Sequence, residues 1–156
     1  MKILFICTHN RCRSILAEAI ASHFSGGLIE AASAGSEPAG EIHPMTLKAL
    51  DSYNIPATGL YSKSWDDLED FEPDFVITVC NNAANETCPV WFGKSLRVHW
   101  NLEDPSIIVG SDSQKLAAFG ETIALLTSRI KEVTDLLEHH ACRTRVLDAL
   151  NCMAES

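Results

Sequence analysis

The sequence predicts an α/β protein, a four-stranded and mostly parallel sheet with helices on both faces. Three observations carry that expectation. Strand-like apolar runs alternate with helix-period segments from the N-terminus onward. Phe75-Val76-Ile77-Thr78-Val79 is a nearly continuous β-branched run, the pattern of a central parallel strand covered on both faces. Leu116, Phe119, Ile123, Leu126, Ile130, Val133 and Leu137 step by three and four, which draws one apolar stripe along a long helix.

Ile3 to Ile6 reads as a buried first strand. From Ser14 the pattern turns helical, with Leu16, Ala19, Ile20 and Phe24 on one face and Gly26-Gly27 as the stop. Leu28 to Ala34 fits a second strand, ended by Gly35. His43-Pro44 opens the next helix, with Pro44 suited to its first position and Leu47 and Leu50 facing inward. Asn54, Pro56 and Gly59 break it. Ser62 to Glu72 is polar, with a short helix around Trp65 and Leu68. After the β-branched third strand, Leu96, Val98 and Trp100 alternate with Arg97 and His99, a fourth strand exposed on one side. Ser111-Asp112-Ser113-Gln114 supplies a capping box for the long helix. Residues 1–138 form one domain. Residues 139–156 carry only Val146, Leu147, Leu150 and Met153 at weak spacing, a tail or a marginal extra helix.

Bulk properties narrow the function. A chain of 156 residues with 46% hydrophobic and 21% charged content builds a core without staples. A net charge of -9 argues against nucleic acid or an anionic membrane surface as partner. An anionic substrate must then be attracted by a local positive site. Lys2 is followed by only five apolar residues before a polar loop, so no signal peptide is expected, and no segment is long enough to span a bilayer. The expected location is the cytoplasm, with the six cysteines reduced and serving catalysis, redox chemistry or packing.

The chemistry concentrates after the strands. Cys7-Thr8-His9-Asn10-Arg11-Cys12-Arg13-Ser14 joins a strand end to a helix start. Loop amides and the positive helix end suit a tetrahedral oxyanion. Arg13 offers a planar fork to two of its oxygens, and the same field favours a Cys7 thiolate nucleophile. The alternative is a small buried side chain at a strand end, which leaves the neighbouring Arg-Ser pair unexplained. Cys80 and Cys88 bracket a polar stretch after the third strand, which suggests a disulfide relay with the first thiol. The seven residues between them lack the tight pairs of a zinc site, so no metal is expected. Asp104, before Pro105, is a candidate general acid or a simple turn starter. Cys12 reads as packing under the loop, with a reserve thiol as the other reading. His139 and His140 are adjacent and point apart on a helix, so they are read as solvated. In open parallel sheets the ligand site lies beyond the carboxyl ends of the strands, where these segments converge.

The run Ile-Cys-Thr-x-Asn-x-Cys-Arg-Ser resembles the low-molecular-weight protein tyrosine phosphatase superfamily. The cysteine pair Cys80 and Cys88 makes it similar to the arsenate reductases built on that fold. Ser33-Ala34-Gly35, His43-Pro44, Val79-Cys80, Cys88-Pro89, Trp100 and Asp104-Pro105 extend the resemblance from Met1 to about Leu137. It implies Cys7 as nucleophile and Asp104 as acid. Arg13 and the loop residues Thr8, His9, Asn10, Arg11 and Cys12 would form the oxyanion site. Ser14 would hydrogen-bond Cys7, and Asn10 with Ser33 would brace the loop. Cys80 and Cys88 would complete the relay. It implies arsenate as substrate, no bound cofactor, and thioredoxin or glutathione/glutaredoxin as external reductant. Two departures stand out. His9 and Arg11 alter the loop, and the Cys80 to Cys88 gap is one residue longer than in the thioredoxin-coupled members. The rival activities are a phosphatase working through a phosphocysteine and a non-catalytic thiol sensor of oxyanion or oxidant.

Overall fold

The computed structural model describes residues 1–86, 89 and 92–155. Four strands run parallel in the order β2-β1-β3-β4: β1 Lys2–Ile6, β2 Glu30–Ala34, β3 Phe75–Thr78 and β4 Leu96–His99. The central pair has no wet face. Ile3, Leu4 and Phe5 of β1 and Phe75, Val76 and Ile77 of β3 are fully buried, which is why both runs are apolar without alternation. Edge strand β4 alternates as expected, with Val98 buried and Arg97 exposed. The register sets Ile6 beside Ala34 and Thr78, and Thr78 beside His99. All four strands therefore leave the sheet on the same edge.

Helices α1 (Arg13–Phe24), α2 (Pro44–Ser52) and the long α4 (Asp112–Glu138) pack on one another. Their starts obey the expected chemistry. His43 caps α2, its Nδ1 accepting the Met45 N–H at 3.1 Å, and Pro44 takes the first turn, where a missing N–H costs nothing. Ser111 and Gln114 form a reciprocal capping box at α4. The α4 stripe buries Phe119, Ile123, Leu126, Ile130 and Val133. In α2 the inward residues are Thr46, Ala49 and Leu50. Leu47, expected inside, is 41% exposed because the helix is rotated to set Thr46 under the Cys7 loop.

Two segments take more structure than their sequence suggests. The polar stretch after β3 begins as a short helix, α3 (Asn81–Asn85), rather than an open loop. Residues 143–155 form helix α5, which packs on β4 and α4 with Val146, Leu150 and Met153 buried. Among the described residues no helix is long and apolar enough to cross a membrane.

Candidate active site

Parallel strands bring four exits to one edge: Cys7 after β1, Gly35 after β2, Cys80 after β3 and Asp104 a few residues beyond β4. The loop between β1 and α1 is fixed from outside by its carbonyl groups. The Thr8 carbonyl accepts from Glu37 N, His9 from Ala39 N, and Arg11 from His43 N and Thr46 Oγ1, all at 2.9–3.1 Å. With the carbonyls turned outward, the N–H groups of residues 9–14 donate to no acceptor among the described residues. A concave row of free amides at a helix start is a site for an anion. Asn10 makes the turn possible by adopting φ 45°, a left-handed conformation that Asn tolerates. Its side chain secures that turn, since Nδ2 donates to Ser14 Oγ at 2.8 Å and Oδ1 accepts the Lys63 N–H at 2.9 Å.

Arg13 opens α1. Its Nη1 donates to the Leu102 carbonyl at 3.0 Å and its Nη2 reaches Asp104 Oδ2 at 3.4 Å. The far end of the fork is thus held by the segment after β4. Nε is buried and has no hydrogen-bond partner among the described residues. Nε and the second Nη2 hydrogen form the free edge of the guanidinium, the edge that matches two oxygens of a tetrahedral anion. Asp104 is held in turn by Ser106, whose N–H and Oγ–H both donate to Oδ1 at 2.9 and 2.6 Å.

Cys7 and Cys80 are both buried, 7% and 4% exposed, and their side chains interact with each other. Cys80 caps α3 with its own sulfur, which accepts the Ala83 N–H at 3.4 Å, and Thr8 Oγ1 lies 3.7 Å away. Interaction with Cys7, then the Ala83 N–H and Thr8, brings the Cys80 thiol down to about 5 against the cost of burial. Cys7 moves the other way, raised by Cys80 and by burial, while Arg13 and the Thr8 N–H act against the rise. The two thiols titrate as a pair, and one negative charge on the pair is favoured over two.

Other expected residues sort by position. His9 and Arg11 have exposed side chains, His9 Nδ1 meeting the Glu37 carbonyl at 3.1 Å, so they contribute backbone rather than side chain to the loop. Cys12 is buried beneath the loop beside Thr46, and burial pushes its thiol up to about 12. Ser14 engages Asn10 rather than Cys7. Ser33 does not touch the loop. It donates to Glu18 Oε2 at 2.6 Å, Glu18 pairs with Lys63 Nζ at 3.7 Å, and the Lys63 backbone holds Asn10. Burial raises the Glu18 carboxyl and lowers the Lys63 ammonium. Cys88 lies outside the described residues. Lys63 and Glu18 carried no signal in the sequence, since their roles depend on chain segments that meet only in space, and Gly35 showed there only as a strand end and part of a motif. A Cβ on Gly35 would strike the Thr8 and Cys7 carbonyl oxygens.

Residues 2–143 match the family described as low molecular weight phosphotyrosine protein phosphatase. The chain belongs to that family. Within the phosphatase family its similarities run to reductases. It is 34% identical over 129 residues to an arsenate reductase of Halalkalibacterium halodurans, covering 83% of this chain and 91% of the relative. It is 28% identical to a glutaredoxin arsenate reductase of Synechocystis sp., covering 85% and 95%. A solved arsenate reductase in the phosphate binding state superposes with a TM-score of 0.70 at 27% identity, covering 86% of this chain and 96% of that one.

Proposed function

We propose that this protein reduces arsenate to arsenite with a thiol reductant as electron source. The observation that carries the reading is the pair of buried, interacting thiols, Cys7 and Cys80, at the foot of an amide-lined anion loop. A phosphatase needs one thiol there, whereas a two-electron reduction needs two. Arsenate would take the free N–H groups and the open edge of Arg13. Cys7 gives up its proton to the neighbouring Cys80 and attacks arsenic, while Asp104 protonates the departing oxygen. The product is an arseno-cysteine adduct on Cys7. Cys80, once its proton has moved to an adduct oxygen, attacks the Cys7 sulfur. The As–S electron pair stays on arsenic, arsenite leaves, and a Cys7–Cys80 disulfide remains. Cys88 then attacks Cys80 and carries the disulfide outward to an external thiol. Thioredoxin and glutathione/glutaredoxin are the candidate donors, and the relative named for glutaredoxin makes the second worth supplying separately.

Cysteine variants test the relay. Cys80→Ser should form the arsenic adduct, make no internal disulfide and stop multiple turnover. Cys88→Ser should go one step further, so that peptide mapping after arsenate treatment finds Cys7–Cys80. Any phosphate ester hydrolysis should survive both substitutions. Normal turnover by Cys88→Ser with glutathione and glutaredoxin would make Cys88 a bystander. Full arsenate turnover by Cys80→Ser would overturn the three-cysteine mechanism.

A further inference from the structure

Ser106 has a more specific place in the site than its position in a turn requires. An Asp followed two residues later by a backbone N–H commonly closes a turn, and the Ser106 N–H to Asp104 Oδ1 bond at 2.9 Å is that closure. The hydroxyl adds a second donor to the same oxygen, at 2.6 Å. Oδ1 therefore carries two hydrogen bonds, while Oδ2 faces the Arg13 guanidinium at 3.4 Å. The two carboxyl oxygens are inequivalent, and the difference bears on proton transfer. A proton on Oδ1 would bring a third hydrogen to an oxygen already occupied by two donors. A proton on Oδ2 meets no such crowding, because a neutral carboxyl keeps acceptor capacity for Arg13 and one O–H to give.

We infer that Ser106 is the positioning residue that keeps the transferable proton of Asp104 on Oδ2, the oxygen beside the anion-binding edge of Arg13. This rests on the reading of Asp104 as the general acid in arsenate reduction. The hydroxyl acts twice. Before transfer it fixes the carboxyl rotation, so that the O–H points to the departing oxygen. After transfer it steadies the carboxylate, since a hydrogen bond to an ionised acceptor is stronger than one to a neutral acid. It touches neither substrate nor reacting atoms, and it leaves the amide row and the free Arg13 edge as they are. Its effect therefore belongs to the chemical step and not to arsenate binding.

Ser106→Ala isolates this contribution, because alanine keeps the backbone N–H and the turn and removes only the hydroxyl. The measurement is arsenite released in a single turnover of the fully reduced protein, which needs no external reductant, as a function of arsenate concentration. The expected result is a maximal rate about tenfold lower, a half-saturating arsenate concentration within about twofold of the unchanged protein, and recovery of most of the rate in Ser106→Thr. Asp104→Asn, measured alongside, should lose about a hundredfold or more. An unchanged rate in Ser106→Ala beside a crippled Asp104→Asn would overturn the role of Ser106 and leave Asp104 as the acid. Weakened arsenate binding with an unchanged maximal rate would overturn it too, as would a threonine variant no faster than alanine. If Asp104→Asn itself turned over normally, the acid assignment would fall, and the positioning role with it.

Discussion

Arg13 divides its guanidinium between two tasks that no other side chain performs together. Nη1 and Nη2 hold the Leu102 carbonyl and Asp104, and buried Nε has no hydrogen-bond partner among the described residues. A lysine keeps the charge but has neither the fork nor the reach to serve both. Arg13→Lys should therefore lose about 10- to 100-fold in kcat/KM for arsenate, the scale of one to two charge-assisted hydrogen bonds. Steady-state kinetics checks it, and near-normal values would place the anion elsewhere. The thiols act as a pair. Cys80 also accepts the Ala83 N–H, a donor that is in place only once α3 has formed, so the surroundings of this sulfur are set by the fold and not by its own segment.

At the scale of elements, the anion loop is shaped mostly by its neighbours. The segments at 37, 39, 43 and 46 turn its carbonyls outward, and Gly35 lets the end of β2 lie directly against its backbone. A methyl group at 35 would push the loop away from the sheet edge. Gly35→Ala should cost about 1–3 kcal/mol of stability, as overpacking does. Its effect on catalysis should be larger, about a hundredfold, because a displacement near 1 Å in an aligned site is felt at that level. Urea denaturation and arsenate kinetics on the same preparation separate the two. Equal and small effects on both would show that the loop adapts. α3 is the opposite case, a brief helix whose cap is the reacting sulfur of Cys80. Any step that engages Cys80 therefore withdraws the acceptor holding the first turn.

At the scale of the molecule, α5 closes the core beyond β4. Trp100 is fully buried at the end of that strand, and its Nε1 donates to the Leu150 carbonyl at 3.1 Å. The Arg129 guanidinium lies 5.2 Å above the Trp100 ring and is buried as well, which depresses its ionisation. Arg143 anchors the start of α5 to Asp74 at the foot of β3, at 2.8 Å to its carbonyl. Residues 143–155 are thus continuous with the domain that carries the site. Leu150→Ala should destabilise the whole fold by about 2–5 kcal/mol, the cost of a large-to-small change in a packed core. Activity per folded molecule should hold, because the Leu150 side chain belongs to the packed core and to none of the groups that build the anion loop or the thiol pair. A single cooperative urea transition shifted to lower concentration checks this. An unshifted transition would make α5 an independent appendage.

The alternation of strand and helix, the buried central strands and the α4 stripe were legible because each is a local pattern, written in the period of its own side chains. The chemical candidates were legible for a related reason. Cys7, Arg13, Cys80 and Asp104 each lie just past a strand, and parallel strands deliver their exit segments to one edge of the sheet. The sequence by itself therefore determined the fold class and where reactive groups gather. Tertiary structure decided what surrounds each group there: which edge of Arg13 stays open, which amide the Cys80 sulfur accepts, and how Ser33 reaches Asn10 only through Glu18 and Lys63. It also made residues 143–155 part of the core. The physical reason is range. Periodicity and capping act within a few residues, whereas hydrogen-bond partnership, burial and charge placement arise between segments tens of residues apart, and no local pattern records them.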